Sequence, residues 1–105
     1  MPVIVATDED FKQHLADNPK VVVKYFASWC GSCRLIAPKF KRISNAEDYS
    51  DVVFLDVDAE KNPEARAMAG KIPNLPFFAT FKDGALVEGD FTAKIDFVEK
   101  MIDNL

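Results

Sequence analysis

The sequence predicts an α/β protein: a three-layer α/β/α sandwich around a five-stranded mixed sheet, with its elements in the order βαβαβαββα. Three observations carry this expectation. Apolar runs at residues 21–27 and 52–57 are nearly continuous, as in strands covered on both faces. Segments with helical spacing alternate with them, which implies parallel strands joined by right-handed crossovers. Near the end, Lys82-Asp83-Gly84 separates two strand-like stretches, a hairpin signal that adds antiparallel strands.

Each element has a local reason. Val3-Ile4-Val5 reads as a short strand, and Thr7 or Asp8 can cap a helix running to about Asp17, with acids in its first turn suiting the macrodipole. Asn18-Pro19 ends that helix ahead of the strand at 21–27. Helical spacing of Leu35, Ile36, Phe40 and Ile43 predicts a helix from about Cys30 to Ala46, which Pro38 should kink. Residues 52–57 form a further strand. Pro63 to Met68 reads as a short helix with Asn62 as its cap and proline at the first helical position. Residues 77–81 and 85–91 flank the hairpin turn. Thr92 can cap a last helix over 93–104, with Ile95, Val98, Met101 and Ile102 on one stripe.

Composition narrows the function. At 105 residues, the chain is expected to be one domain spanning residues 1–105. A hydrophobic fraction of 49% and a charged fraction of 29% are ordinary for a globular protein. No apolar run approaches the roughly 18 residues of a membrane helix, and no signal peptide is visible. A net charge of −4 argues against nucleic acid, which needs clustered Lys and Arg. Two cysteines only, with no structural staples, make the cytoplasm the expected compartment and any disulfide a catalytic one. A monomer without cofactor or metal is expected.

Those two cysteines carry the chemistry. Cys30 and Cys33 follow a buried strand and open a helix, in Trp29-Cys30-Gly31-Ser32-Cys33. Unpaired N–H groups and the positive end of the helix dipole favour thiolate at Cys30, the attacking species in disulfide exchange. Three-residue spacing lets Cys33 resolve the mixed disulfide. Cys30 is therefore expected to be the exposed nucleophile and Cys33 the more buried resolving thiol. Half a zinc site is the alternative, but His14 is the only further soft ligand, short of the four that zinc takes. Inert core cysteines are another alternative.

Residues 27–38, Ala-Ser-Trp-Cys-Gly-Ser-Cys-Arg-Leu-Ile-Ala-Pro, resemble the active-site segment of thioredoxins. Asp56-Val57-Asp58, Ile72-Pro73-Asn74-Leu75-Pro76-Phe77 and Phe81-Lys82-Asp83-Gly84 resemble later landmarks of that family in the same order, over nearly the whole chain. The resemblance implies a thioredoxin fold and a thiol–disulfide oxidoreductase that reduces or exchanges protein disulfides through Cys30 and Cys33. It also implies disulfide-bearing protein substrates and a thioredoxin reductase or similar electron donor. Leu75-Pro76 would be a cis peptide facing the disulfide, with Trp29, Gly31, Leu75 and Pro76 forming a flat apolar rim for substrate. For Trp29, plain core packing is the competing explanation. A different class of function is a binding or chaperone module with incidental redox activity.

Three departures from the family stand out. Ser32 occupies a position that is proline in most thioredoxins; its hydroxyl can reach a thiolate and make the couple more oxidising, or serine is simply tolerated at a helix start. Lys24 stands where the family usually buries an acid behind the second cysteine. Two-residue alternation puts it on one face with Val22 and Phe26, so it must pair, neutralise or snorkel, and Asp56 is its expected partner. A redox-tuning role for Lys24 and Asp56 follows if the pair lies near the thiols. No glycine stands near Thr92-Ala93, where the family commonly has one, so side chains there would narrow the docking surface. His14, Lys39, Lys41 and Arg42 are expected to have no role.

Overall fold

Alternation along a single strand organises the molecule. In the computed structural model, which describes residues 2–105, strand β2 (Lys20–Phe26) sends Val21, Val23 and Tyr25 to one face. Val22 goes to the other. β2 is the middle of a five-stranded sheet in the order β1-β3-β2-β4-β5. β1 (Ile4–Val5) and β3 (Val53–Asp58) run parallel to it, while β4 (Phe77–Lys82) and β5 (Ala85–Phe91) complete the sheet in antiparallel fashion.

Helices α1 (Phe11–Asp17) and α3 (Pro63–Ala67) cover the first face, through Phe11, Leu15 and Ala65. Helices α2 (Gly31–Ser44) and α4 (Ile95–Asp103) cover the second, through Ile36, Phe40, Val98, Met101 and Ile102. Phe40 sits between Phe54 and Phe78, with ring centroids 5.2 and 5.5 Å away. Such tilted pairs add about 0.5–1.5 kcal/mol beyond the area they bury. The hairpin between β4 and β5 turns through Asp83 and Gly84, both at positive φ (51° and 83°), as a two-residue turn of this twist requires.

Several local expectations are corrected. α1 begins at Phe11 rather than after Thr7 or Asp8, and it has no acid in its first turn. Thr7 contributes its backbone: its carbonyl accepts from the N–H groups of Asp10 and Phe11, and its own N–H donates to the Asp10 carboxylate. Asp8 instead caps a helix far away in sequence. Its carboxylate accepts from the N–H groups of Glu64 and Ala65, at 3.3 and 2.8 Å, so it closes the start of α3. Asn62 makes no side-chain cap there; its Oδ1 accepts from the Asp8 N–H.

Leu35 is not part of the buried stripe of α2. It is 77% exposed, and the stripe runs through Cys33, Ile36, Phe40 and Ile43. Pro38 lies within α2, where it removes the donor that would reach the Arg34 carbonyl. α4 starts at Ile95, two residues later than expected, because Thr92 Oγ1 accepts from the Lys94 N–H and holds a turn before the helix.

Candidate active site

β2 ends at Phe26, and the chain turns so that the Cys30 N–H donates to the Ala27 carbonyl at 3.1 Å. This turn makes Cys30 the N-cap of α2, with extended backbone at φ −86° and ψ 107°. An N-cap side chain normally accepts from the third helical N–H. Here sulfur takes that part: Cys30 Sγ accepts from the Cys33 N–H at 3.2 Å. Cys30 and Cys33 are joined as a disulfide, their Cα atoms 5.3 Å apart.

The expected contrast in exposure between the thiols is absent in this disulfide form. Cys30 is 5% and Cys33 3% exposed, because both pack with Ala27 under Phe26 and Leu75. Trp29 is 65% exposed, so it is not a core residue. Gly31 is exposed, with open space where a side chain would stand. Leu75 and Pro76 are joined by the cis peptide bond that the resemblance implied. Leu75 is half-buried and makes no backbone hydrogen bond among the described residues. Pro76 is buried. Its carbonyl accepts from the Thr92 N–H at 3.3 Å.

Behind Cys33 lies the second group of residues. Lys24 on β2 and Asp56 on β3 are register partners, which places Nζ 3.3 Å from Oδ1. Lys24 is 4% exposed. Its ammonium also lies 5.4 Å from the ring centre of Phe40 and 5.8 Å from that of Phe26, within cation–π range. The contact with Asp56 is an ion pair without hydrogen-bond geometry, so Oδ1 is a buried acceptor with no hydrogen bond among the described residues. Burial pushes the Asp56 carboxyl above its ordinary value, and Lys24 opposes that rise only in part.

Ser32 Oγ lies 3.7 Å from Cys30 Sγ, close enough for a weak hydrogen bond to sulfur. A cavity of about 290 Å³ joins the two groups, lined by Cys33, Arg34, Lys24 and Asp56 among others. Arg34 and Phe40 were not singled out as site residues from the sequence, Phe40 being read there only as part of the apolar stripe of α2. Phe40 is seven residues beyond Cys33 on the same stripe, which could have marked it as a neighbour of the site, and Arg34 directly follows Cys33. His14 pairs with Asp10 at 3.6 Å, remote in sequence from the site.

A redox-active cysteine pair at the start of a helix after a central strand, preceded by an exposed tryptophan, defines a thiol–disulfide exchange centre. The comparisons with known proteins agree. The thioredoxin family model matches residues 2–103, and the chain belongs to that family. It is 40% identical to thioredoxin-1 of Schizosaccharomyces pombe over 84 residues, covering 80% of this chain and 79% of the relative. It is 42% identical to thioredoxin of Geodia cydonium over 80 residues, covering 74% and 73%. Among solved structures, thioredoxin of Schistosoma mansoni superposes with a TM-score of 0.86 at 36% identity, over 99% of this chain and 95% of that one. The protein is a thiol–disulfide oxidoreductase that reduces or exchanges protein disulfides through the Cys30–Cys33 couple.

Proposed function

We propose that the chain is a dithiol electron donor in which Cys30 is the nucleophile and Cys33 the resolving thiol. The observation that supports this assignment is the seat of Cys30 Sγ at the N-cap of α2, where it accepts a backbone N–H bond that a thiolate accepts more strongly. Cys30 thiolate attacks a substrate disulfide and forms a mixed disulfide; Cys33 then attacks Cys30 Sγ and releases the reduced substrate. An extended substrate segment lies across Trp29, Gly31 and Leu75, and pairs with the free backbone groups of Leu75.

Electrons return to the dithiol from a thioredoxin reductase or similar donor. The working form is a monomer, and the cytoplasm is the compartment, a reading that rests on the cysteine count alone. Ser32, Lys24 and Asp56 tune the couple. The Ser32 hydroxyl and the Lys24 ammonium both favour thiolate, which stabilises the reduced form and makes the couple more oxidising.

Trapping tests the assignment. A Cys33→Ser variant incubated with disulfide-bearing proteins accumulates mixed disulfides through Cys30, identified by mass spectrometry. If no mixed disulfide forms, the binding-module reading replaces this one.

A further inference from the structure

Among the described residues, α2 is the helix whose charge has one sign. Arg34, Lys39, Lys41 and Arg42 are exposed along it, and it holds no Asp or Glu. α1, α3 and α4 each carry both signs. None of the four α2 cations enters an ion pair among the described residues. The whole chain carries −4, so everything outside α2 sums to −8. Leu35 stands among these cations and is more exposed even than Trp29. Gly31, Leu35, Lys39 and Arg42 follow one another at helical spacing, so one exposed row runs from the thiols down the helix.

Helix stability accounts for only part of this row. Lys41 and Arg42 lie in the last turn, where cations suit the dipole. Arg34 lies in the first turn, at the positive end, where the dipole disfavours it. A solvated face is also usually laced with acids three or four residues from its cations, and α2 has none. Leu35 gains nothing from its exposure in the free protein. An apolar centre ringed by charge is instead the anatomy of a docking surface. It is continuous with the exchange centre: Gly31 heads the row, adjoins Cys30 and has open space on its outer side. A protein whose disulfide meets Cys30 therefore overlies the first turn of α2.

We propose that the outer face of α2 selects disulfide-bearing proteins whose surface beside the disulfide is acidic, with Leu35 as apolar anchor and Lys39 and Arg42 against the carboxylates. The inference rests on exchange at Cys30 and names the substrate class of that site. The −8 outside α2 repels the extended anionic surfaces of nucleic acid and membranes, whereas a protein partner covers only about 800 Å² and can meet α2 alone. Lys39 and Arg42 stand about 12 and 17 Å along the axis from Gly31, at ~1.5 Å per residue. An extended segment rises about 3.3 Å per residue, so the matching acids lie about four and five residues from the partner's cysteine.

Single-turnover reduction of two synthetic peptides tests this. Both have one intramolecular disulfide and a leucine at the second residue beyond each cysteine; the fourth and fifth residues are Glu in one and Lys in the other. Reduced wild type reacts about tenfold faster with the Glu peptide, at the low end of electrostatic steering. The preference fades from about 0.01 to about 1 M salt, as the screening length falls from ~30 to ~3 Å. Lys39→Glu with Arg42→Glu abolishes or inverts it. Lys12→Glu with Lys82→Glu makes the same change in net charge away from α2 and keeps it. Leu35→Ser slows both peptides several-fold. Every variant reacts within about twofold of wild type with neutral 4,4′-dithiodipyridine, which is too small to reach the row. Equal rates of wild type with both peptides, or loss of preference in the Lys12 and Lys82 variant, overturn the proposal. Unchanged peptide rates in Leu35→Ser overturn the anchor. A dimer at low salt that the Lys39 and Arg42 reversal abolishes assigns the face to a second copy, and this too overturns the proposal. A Cys30 unreactive towards 4,4′-dithiodipyridine overturns instead the nucleophile assignment.

Discussion

Lys24 Nζ lies 3.3 Å from Asp56 Oδ1, across a register pair of the two central parallel strands. Burial raises the Asp56 carboxyl above its ordinary value, and Lys24 offsets that rise only in part. Lys24→Met keeps the aliphatic stem and removes the cation. The Asp56 carboxyl then titrates still further above its ordinary value, since the positive charge that lowers it comes from Lys24. The thiols titrate higher and the couple becomes more reducing. Stability falls by less than the ~3–5 kcal/mol of a fully enclosed pair, because Asp56 keeps 23% exposure and can take up a proton. Adding Asp56→Asn recovers part of the loss. NMR titration and a double-mutant cycle measure both effects. Superimposable titration curves would leave Lys24 without a redox role.

The raised Asp56 carboxyl has a defined consequence for pH dependence. A carboxyl that binds its proton more tightly folded than unfolded contributes stability that is fully present below 3.8. That contribution is lost as pH rises through the folded value. The stability of wild type relative to Asp56→Asn therefore declines over this window as pH rises. Urea unfolding of both proteins from pH 3 to pH 7 reads the difference, and a rise with pH contradicts the burial argument.

Asp8 joins the segment after β1 to the first turn of α3. Asp8→Ala leaves the Glu64 and Ala65 N–H groups without their cap and costs about 1 kcal/mol, within the usual range for a lost N-cap. Asp8→Asn retains one acceptor oxygen and costs less. Equal stability of wild type and Asp8→Ala in urea would mean that solvent replaces the cap without loss.

Ser32 stands in the first turn of α2, where proline is tolerated because the N–H there has no helical partner. Ser32→Pro removes the hydroxyl 3.7 Å from Cys30 Sγ and makes the couple more reducing. It also stabilises the fold by about 0.4–1 kcal/mol through the unfolded chain. Equilibration with glutathione measures the first effect, and an unchanged redox equilibrium would assign the hydroxyl no part in it.

The element order, the two-faced burial of β2 and the hairpin were legible in the sequence because they follow from periodicity and turn chemistry within a few residues. The proximity of Lys24 to Asp56 was legible only because alternation fixed the face and the family resemblance fixed the register. Asp8 was not legible as the cap of α3, since no local pattern announces a partner 57 residues away. Helical spacing drew Leu35 into the core stripe, yet it is exposed, because its apolar neighbour Ile36 and not Leu35 lies in line with Cys33, Phe40 and Ile43. The near-equal burial of Cys30 and Cys33 also escaped the sequence, since Leu75, which packs against them with Phe26, lies more than forty residues further along the chain.

Differential alkylation of the reduced protein tests the central claim most directly. If Cys30 at the N-cap of α2 is the nucleophile, its thiol is expected to titrate below the ~8.5 of a free cysteine, and limiting iodoacetamide at neutral pH modifies Cys30 well before Cys33. Peptide mapping by mass spectrometry over a pH series gives both the order and the midpoint. Faster modification of Cys33, or a Cys30 midpoint at or above the free value, contradicts the account.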